Sequence, residues 1–517
     1  MAGSGLVTGT WILITLYAGV ILFFVVRGAR GIKSISDYAV GSVIFSPAAV
    51  GLSLAASMTS AATFVINPGL IANFGWSGFI SFGIFFPLGA VISLFILTKS
   101  FRKYGQTTKA LTLAQWIGSR YNSKGYSLLM AFLSLLLITF IVLIVVALTK
   151  VLSKALDIQE IYVLVTIVVF IFGYMMFGGA NSMVYTNTIQ ALIMVVVAVI
   201  LLTSGFEHFA NGISGFFDKL AAINPALTES TNPASPLFRD YFEIIVAQFI
   251  VGFAVVCQPH IITKSLLLKE EKDVNRYLLV GIIVEILFFL VVFAGLYARL
   301  TFPDLMAGGE ALKSDGIIPA YVVEVFQGDG FSVAVGLIVI LGLIAAGMST
   351  LEGLIQSLSS TITTDIIKPL FGKNFKTDAS MIAVNKVTII VLAVVSIFIS
   401  YDQIVNPKLS VAILAQNGVY AYFTAAFIPI LFGIFIKDVD VKAPLAATIT
   451  ALVVHFGVYY FLPVLVENGM SFGFYTKYLQ GVVRNPAIAS STGIVISTIV
   501  GLSVHYFTKD KMKNESV

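Results

Sequence analysis

The chain alternates long apolar runs with short polar loops. The runs lie near residues 6–27, 46–72, 77–98, 126–149, 159–178, 185–205, 240–262, 277–298, 331–364, 383–401, 410–435, 443–463 and 487–508. A run of about 20 apolar residues, rising about 1.5 Å per residue, spans the ~30 Å hydrocarbon core of a bilayer. The pattern predicts an all-α polytopic membrane protein with about 13 transmembrane helices. It excludes an outer-membrane barrel, whose strands would alternate over about 10 residues. The ninth run is longer than a bilayer requires and is expected to project beyond it as a helix. No basic residue precedes the first run and no small-x-small cleavage pattern follows it, so it is expected to remain as a span.

Two runs carry helix breakers at mid-depth. The second passes through Ile66-Asn67-Pro68-Gly69, and the seventh runs into Cys257-Gln258-Pro259-His260. Proline cannot donate a backbone hydrogen bond and glycine unwinds easily. Unpaired carbonyls are costly in lipid, so such breaks persist where they face protein or a wet cavity. The two breaks are five spans apart, and an odd offset inverts topology. That predicts an inverted five-plus-five repeat core with two broken helices, and with solute and ions held between them. The expected division is 1–45 for a peripheral first span and its loop, 46–205 and 240–435 for the two repeats, 206–239 for an outer loop, and 436–517 for two peripheral spans and a tail. Packing kinks are the alternative account of the breaks.

Small polar residues gather in two spans. Ser53, Ser57, Thr59 and Ser60 sit among alanines in the second, and Ala346, Ser349 and Thr350 stand at i, i+3 and i+4 in the ninth. Ala56 and Thr59 are likewise three apart. Carbonyls freed beside a helix break, together with two hydroxyls, can make an uncharged five-oxygen sodium site. Close helix packing with back-bonded hydroxyls fits the same residues.

Composition narrows the function classes. The 517 residues are 58% hydrophobic and 11% charged, against about 25% charged in soluble domains, so lipid is the expected solvent. The formal charge of +5 points to topology and not to nucleic acid. Of 31 basic residues, one set of alternate loops holds 22 and the other 9. The rich side is expected to be cytoplasmic, with the amino terminus outside, the carboxyl terminus inside, and the inner (plasma) membrane as location. Cys257 is a lone cysteine in an apolar run, the four histidines are well separated, and no zinc or P-loop pattern occurs. No hydrophilic stretch is long enough for a kinase, nucleotide-binding or receptor domain. No nucleophile–base or metal constellation is visible, so no enzyme is expected.

Five stretches resemble the sodium:solute symporter family over nearly the whole chain. They are Asp37-Tyr38 with Gly41; Leu54 to Gly69; Tyr185-Thr186-Asn187-Thr188-Ile189-Gln190; Gln258-Pro259-His260-Ile261; and Ala345 to Thr350 continuing to Ser359-Ser360 and Asp365. The resemblance implies a symporter working by alternating access, with Na+ as coupling ion and no organic cofactor. Its partners would be a small-molecule solute, Na+ and the lipid bilayer. It implies sodium on the carbonyls of Ala56, Thr59 and Ala346 and the hydroxyls of Ser349 and Thr350. Solute selection is expected along Asn67, Pro68, Gly69, Val251, Val255, Gln258 and Pro259.

Departures from the family pattern are equally informative. Ser42 stands where a second glycine is usual, and Asn187 where the family often has Asp. Glu352 occupies a position where some members place a hydroxyl for a second sodium. Glu352 is therefore expected to face Asn187, holding a second cation or a proton; a packing role or a wet inner vestibule are the alternatives. Val251 and Val255 replace the Trp and Tyr of the proline permease, and Met58 replaces its Asp. A small organic acid or pantothenate-like solute is expected ahead of proline. His260 and Lys264 are read either as anion attractors or as plain cytoplasmic-end residues. A proline-like amino-acid symporter, a membrane sensor and a passive channel are the competing functions.

Overall fold

The computed structural model describes residues 4–42, 44–268, 270–372, 377–406 and 411–515. Lys269, Lys373, Lys376 and Lys408, used in the charge count, lie outside them, as do the side chains of Lys511 and Lys513. The described chain is helical nearly throughout. Its one strand pairing is a two-residue hairpin, Met306–Ala307 with Glu310–Ala311.

Among the described residues, ten helices are long and apolar enough to cross a membrane, and twelve spans result when each of two bent pairs counts as one. The expected thirteenth depends on dividing Glu160–Thr203. This 44-residue run carries Gly179 at φ 54° and ψ −164°, outside helical dihedrals. A Cβ there would meet Tyr38 at 2.8 Å, so the turn needs both the positive φ and the missing side chain of glycine. The fifth and sixth predicted spans thus meet at one residue without a connecting loop. The ninth continues as helix from Gly330 to Phe371, about 63 Å at 1.5 Å per residue and twice the hydrocarbon thickness.

The first broken span corrects the sequence reading. Asn67, Pro68 and Gly69 do not interrupt the helix: Asn67–Phe74 is α-helical and continues the π-helical turn Ala62–Ile66. Pro87, Pro369 and Pro463 repeat the arrangement, each second in the segment after a π turn, at 80–85, 362–367 and 457–461. A proline ring collides with the carbonyl four residues back and offers no N–H. A π turn bonds five residues back and widens the ring of backbone there, so the helix absorbs the proline. The break itself lies earlier. Pro47–Met58 ends in Thr59 at φ −97° and ψ 106°, and the axis bends by 54° into Ala62–Phe74.

The second broken span breaks where expected. Phe242–Val255 gives way to extended Gln258 at ψ 137°, Pro259 opens the next helix, and the axis bends by 57°. A residue before proline is disfavoured in the helical region, so here the local sequence itself dictates the break.

Enclosure varies strongly among the spans. Gly5–Ala29 and Lys442–Glu467 each have 22% of their most apolar stretch buried, against 83% for Val411–Phe435. The first and twelfth predicted spans are thus the least enclosed, while the thirteenth, Pro486–Lys509, has 50% of that stretch buried. Asp378–Val405, expected within the second repeat, is also largely lipid-facing, at 28%.

Candidate functional site

At the first break the helix ends with its last carbonyls unpaired, as every helix C-terminus does. The mid-portion of Gly330–Thr361 fills that end. The Ser349 hydroxyl donates to the Ala56 carbonyl at 2.6 Å and to the Ala346 carbonyl at 3.1 Å. The Thr350 hydroxyl lies 3.4 Å from the Ala56 carbonyl, 3.5 Å from that of Thr59 and 3.5 Å from that of Ala346. All five residues are fully buried.

The structure therefore gathers the five oxygens singled out in the sequence. Oxygens bound at about 2.4 Å around a cation the size of Ca2+ or Na+ lie ~3.4 Å apart when at right angles. The Thr350 separations match the edges of such a cage. Three carbonyls and two hydroxyls are hard donors with no formal charge, and the set fits Na+.

A second polar cluster adjoins the first, and Ser57, whose hydroxyl lies 3.4 Å from the Ser349 carbonyl, belongs to it. Glu352 is fully buried and accepts hydrogen bonds from Tyr174 at 2.6 Å, Thr186 at 2.5 Å and Gln190 at 3.1 Å. In the amide orientation that satisfies its surroundings, Asn187 donates to Glu352 at 3.1 Å and to Gln190 at 2.9 Å. Its oxygen accepts from Ser57 at 2.8 Å and from the Lys264 ammonium at 3.0 Å. Lys264 is buried and also donates to Ser53 at 2.6 Å. Glu352 faces Asn187 as expected, while Lys264 is no plain helix-end residue. One amide bridges a buried ammonium to a buried carboxylate, and the cluster carries no net charge.

The two breaks share a cavity of about 80 Å³, with room for roughly five waters. Met58, Ser60, Ala62, Thr63 and Asn67 line it from the first broken span, and Val255 and Gln258 from the second. Phe82, Phe86, Phe140, Phe289 and Tyr420 add aromatic faces, and no charged side chain lines it. The side-chain oxygens of Asn67 and Gln258 are buried without a hydrogen-bond partner. Such unpaired acceptors are rare in native interiors, and here both belong to the lining of one cavity.

Four expected solute residues fall elsewhere. A Cβ at Gly69 would meet the Ser314 backbone at 2.0 Å, and the Pro68 carbonyl packs against Gly295. The π turn keeps these two on the helix face turned to Ala294–Thr301 and Ser314–Val325. Val251 and Pro259 are buried but absent from the cavity lining. Asp365, the last residue of the fifth motif, accepts from Thr112 at 2.6 Å and Gln115 at 2.7 Å, and so anchors the start of Leu113–Arg120.

Two fully buried acids escaped the sequence reading: Glu243, which pairs with Arg239 at 2.6 Å, and Glu285. Glu285 lies in the eighth predicted span, fully buried, and accepts a short hydrogen bond from the Thr59 hydroxyl. A lone acid in an apolar run was the available signal, the same signal that marked Glu352.

Comparison with known proteins places the chain in a family. The Escherichia coli (strain K12) sodium/pantothenate symporter is 27% identical over 81% of this chain and 84% of its own. A Staphylococcus aureus sodium/proline symporter is 26% identical over 97% of this chain and 93% of its own. The fold superposes with a TM-score of 0.72 on a Na+-coupled sialic acid symporter solved in a substrate-bound outward-open state, at 19% identity and covering 95% and 97% of the two chains. The family profile described as Sodium:solute symporter family matches residues 38–451, and the chain belongs to that family.

Proposed function

We propose that the protein imports a small organic acid or pantothenate-like compound together with one sodium ion per cycle. Sodium sits among the oxygens of Ala56, Thr59, Ala346, Ser349 and Thr350, and the solute occupies the adjoining cavity. The observation that carries this reading is the convergence of those five oxygens on the break whose next residues line the cavity. Sodium and solute then share one flexible element. Sodium bound at Thr59 fixes the bend, and the bend positions Ser60, Thr63 and Asn67 toward the solute.

The solute assignment rests on cavity chemistry. The unpaired oxygens of Asn67 and Gln258 accept hydrogen bonds from hydroxyl or amide N–H groups, and the aromatic walls receive a branched apolar stem. A pantothenate-like molecule carries all of these. At about 80 Å³ the cavity must widen to admit it, which alternating movement around the two bends provides.

A single sodium per cycle follows from the second cluster. Lys264 already supplies a cation to Glu352 through Asn187, so no second ion is needed there. Asparagine at 187 fits this arrangement, because a further carboxylate would leave the cluster with unbalanced negative charge.

The test uses purified protein in liposomes. Labelled pantothenate should accumulate above its outside concentration under an inward sodium gradient and stop when that gradient is collapsed. Accumulation of proline instead would transfer the assignment to the amino-acid class. Sodium-independent equilibration would identify a channel, and no uptake of any solute that shifts the melting temperature would point to a sensor.

A further inference from the structure

We infer that Glu285 is the counter-charge of the sodium site, acting on the ion through Thr59. The inference rests on the placement of sodium among the five oxygens described above. That cage has no formal charge and is fully buried. A monovalent cation taken from water into such a place needs a compensating anion close by.

Glu285 meets that need. Its Oε2 accepts the Thr59 hydroxyl, while its Oε1 is buried without a hydrogen-bond partner. None of the ion pairs among the described residues includes it. Thr59 turns its carbonyl to the cage and its hydroxyl to Glu285, so one residue separates the carboxylate from the ion site.

Helix packing explains how the acid reaches this point. Gly51 and Gly281 let the Pro47–Met58 and Asp273–Leu290 helices touch along their backbones: a Cβ on Gly51 would meet the Tyr277 carbonyl at 2.7 Å. Tyr277, Gly281 and Glu285 follow at intervals of four and form one stripe against that helix.

No other charge competes for the role. Pro47–Met58, Ala62–Ile66 and Ile80–Phe85, all packed against the Asp273–Leu290 helix, contain no ionisable side chain, and Glu160–Thr203, which packs there too, carries Glu160 at its far end and three tyrosines. On its own helix Tyr277, Arg276 and Asp273 are eight or more residues away. Lys99, Arg102, Lys103 and Tyr104 occupy the far half of Phe86–Thr108. Glu352, the other fully buried acid near the cage, already has four hydrogen-bond donors, Asn187 among them, and Lys264 beyond Asn187. Its oxygens are engaged, whereas Oε1 of Glu285 has no hydrogen-bond partner.

The test reads sodium binding without requiring the solute. Melting temperature of the purified full chain is titrated with sodium chloride against choline chloride at constant ionic strength. Sodium should stabilise the wild-type protein. Glu285→Gln should weaken apparent sodium affinity at least ~tenfold, while melting in choline alone no lower than wild type, since glutamine keeps an acceptor for the Thr59 hydroxyl and removes an ionisable group from a buried position. Glu285→Asp and Thr59→Val, which keep the charge or the carbonyl but disturb the bridge, should fall between.

A Glu285→Gln protein with the wild-type sodium curve overturns the inference. If that variant fails to fold, wild-type curves for both Glu285→Asp and Thr59→Val overturn it equally. Ser349→Ala separates the two levels of the argument. An unchanged curve for Ser349→Ala refutes the sodium placement itself. A weakened curve there with a normal one for Glu285→Gln refutes only the counter-charge.

Discussion

The two broken spans bend by nearly the same angle, 54° and 57°, and for different reasons. At the second, extended Gln258 precedes Pro259, and pre-proline sterics make the bend locally. At the first, no proline stands at the bend, and Pro68 nine residues on is absorbed by a π turn. That bend is held from outside, by the Ser349 and Thr350 hydroxyls on its freed carbonyls and by Glu285 on the Thr59 side chain. A bend written into the sequence is a fixed fixture. A bend held by other helices responds to what occupies the gap, which is what an ion-coupled element requires. Lys264, just past the second bend, donates to Ser53 before the first, so a hydrogen bond ties the two spans.

Four sets of substitutions sharpen or break this contrast, taken from the largest expected effect to the smallest. Val255→Trp fills the shared cavity from the second span. Solute uptake should drop to background while sodium still raises the melting temperature; normal uptake would mean the solute lies elsewhere. Val251 is not equivalent, because it does not line the cavity.

Lys264→Met cuts the tie and leaves the Glu352 carboxylate uncompensated. A broken buried pair costs about 3–5 kcal/mol, so a large fall in stability is expected. The double variant Lys264→Met, Glu352→Gln should recover a good part of it, as measured by thermal or denaturant unfolding. Additive losses would show that the bridge through Asn187 carries no coupling.

Ser349→Ala and Thr350→Ala each remove one oxygen from the first bend. Each should weaken apparent sodium affinity about tenfold, from the loss of one ligand worth about 1–1.5 kcal/mol. Gln258→Ala at the second bend should spare sodium and raise the solute concentration needed for half-maximal uptake. Sodium dependence of uptake and of melting distinguishes the two bends directly.

The proline exchanges come last. Pro68→Ala should change stability by about 1 kcal/mol or less, because the π turn can relax into an ordinary turn. Pro259→Ala should impair uptake more, because Gln258 is then free to become helical. Equal effects would show that both prolines act in the same way.

The sequence by itself determined the membrane class, the span pattern, the family and the five oxygens that the structure gathers at the first bend. Hydropathy over 20 residues and helical spacing are local properties, and a motif such as Ser349-Thr350 is readable wherever it stands. The bend at Gln258-Pro259 was legible for the same reason. Only the tertiary structure decided the rest. Whether Pro68 breaks a helix depends on a π turn whose cost its neighbours must offset. Whether Lys264 faces water or a carboxylate depends on how the second broken span docks on the Ser53 face of the first. The division of labour between Glu352 and Glu285 was invisible along the chain, since both are single acids in apolar runs. One acquires four donors and an ammonium beyond Asn187, the other a single threonine hydroxyl. Burial gives every intramembrane charge the same cost, and the partners brought by other helices decide how that cost is met.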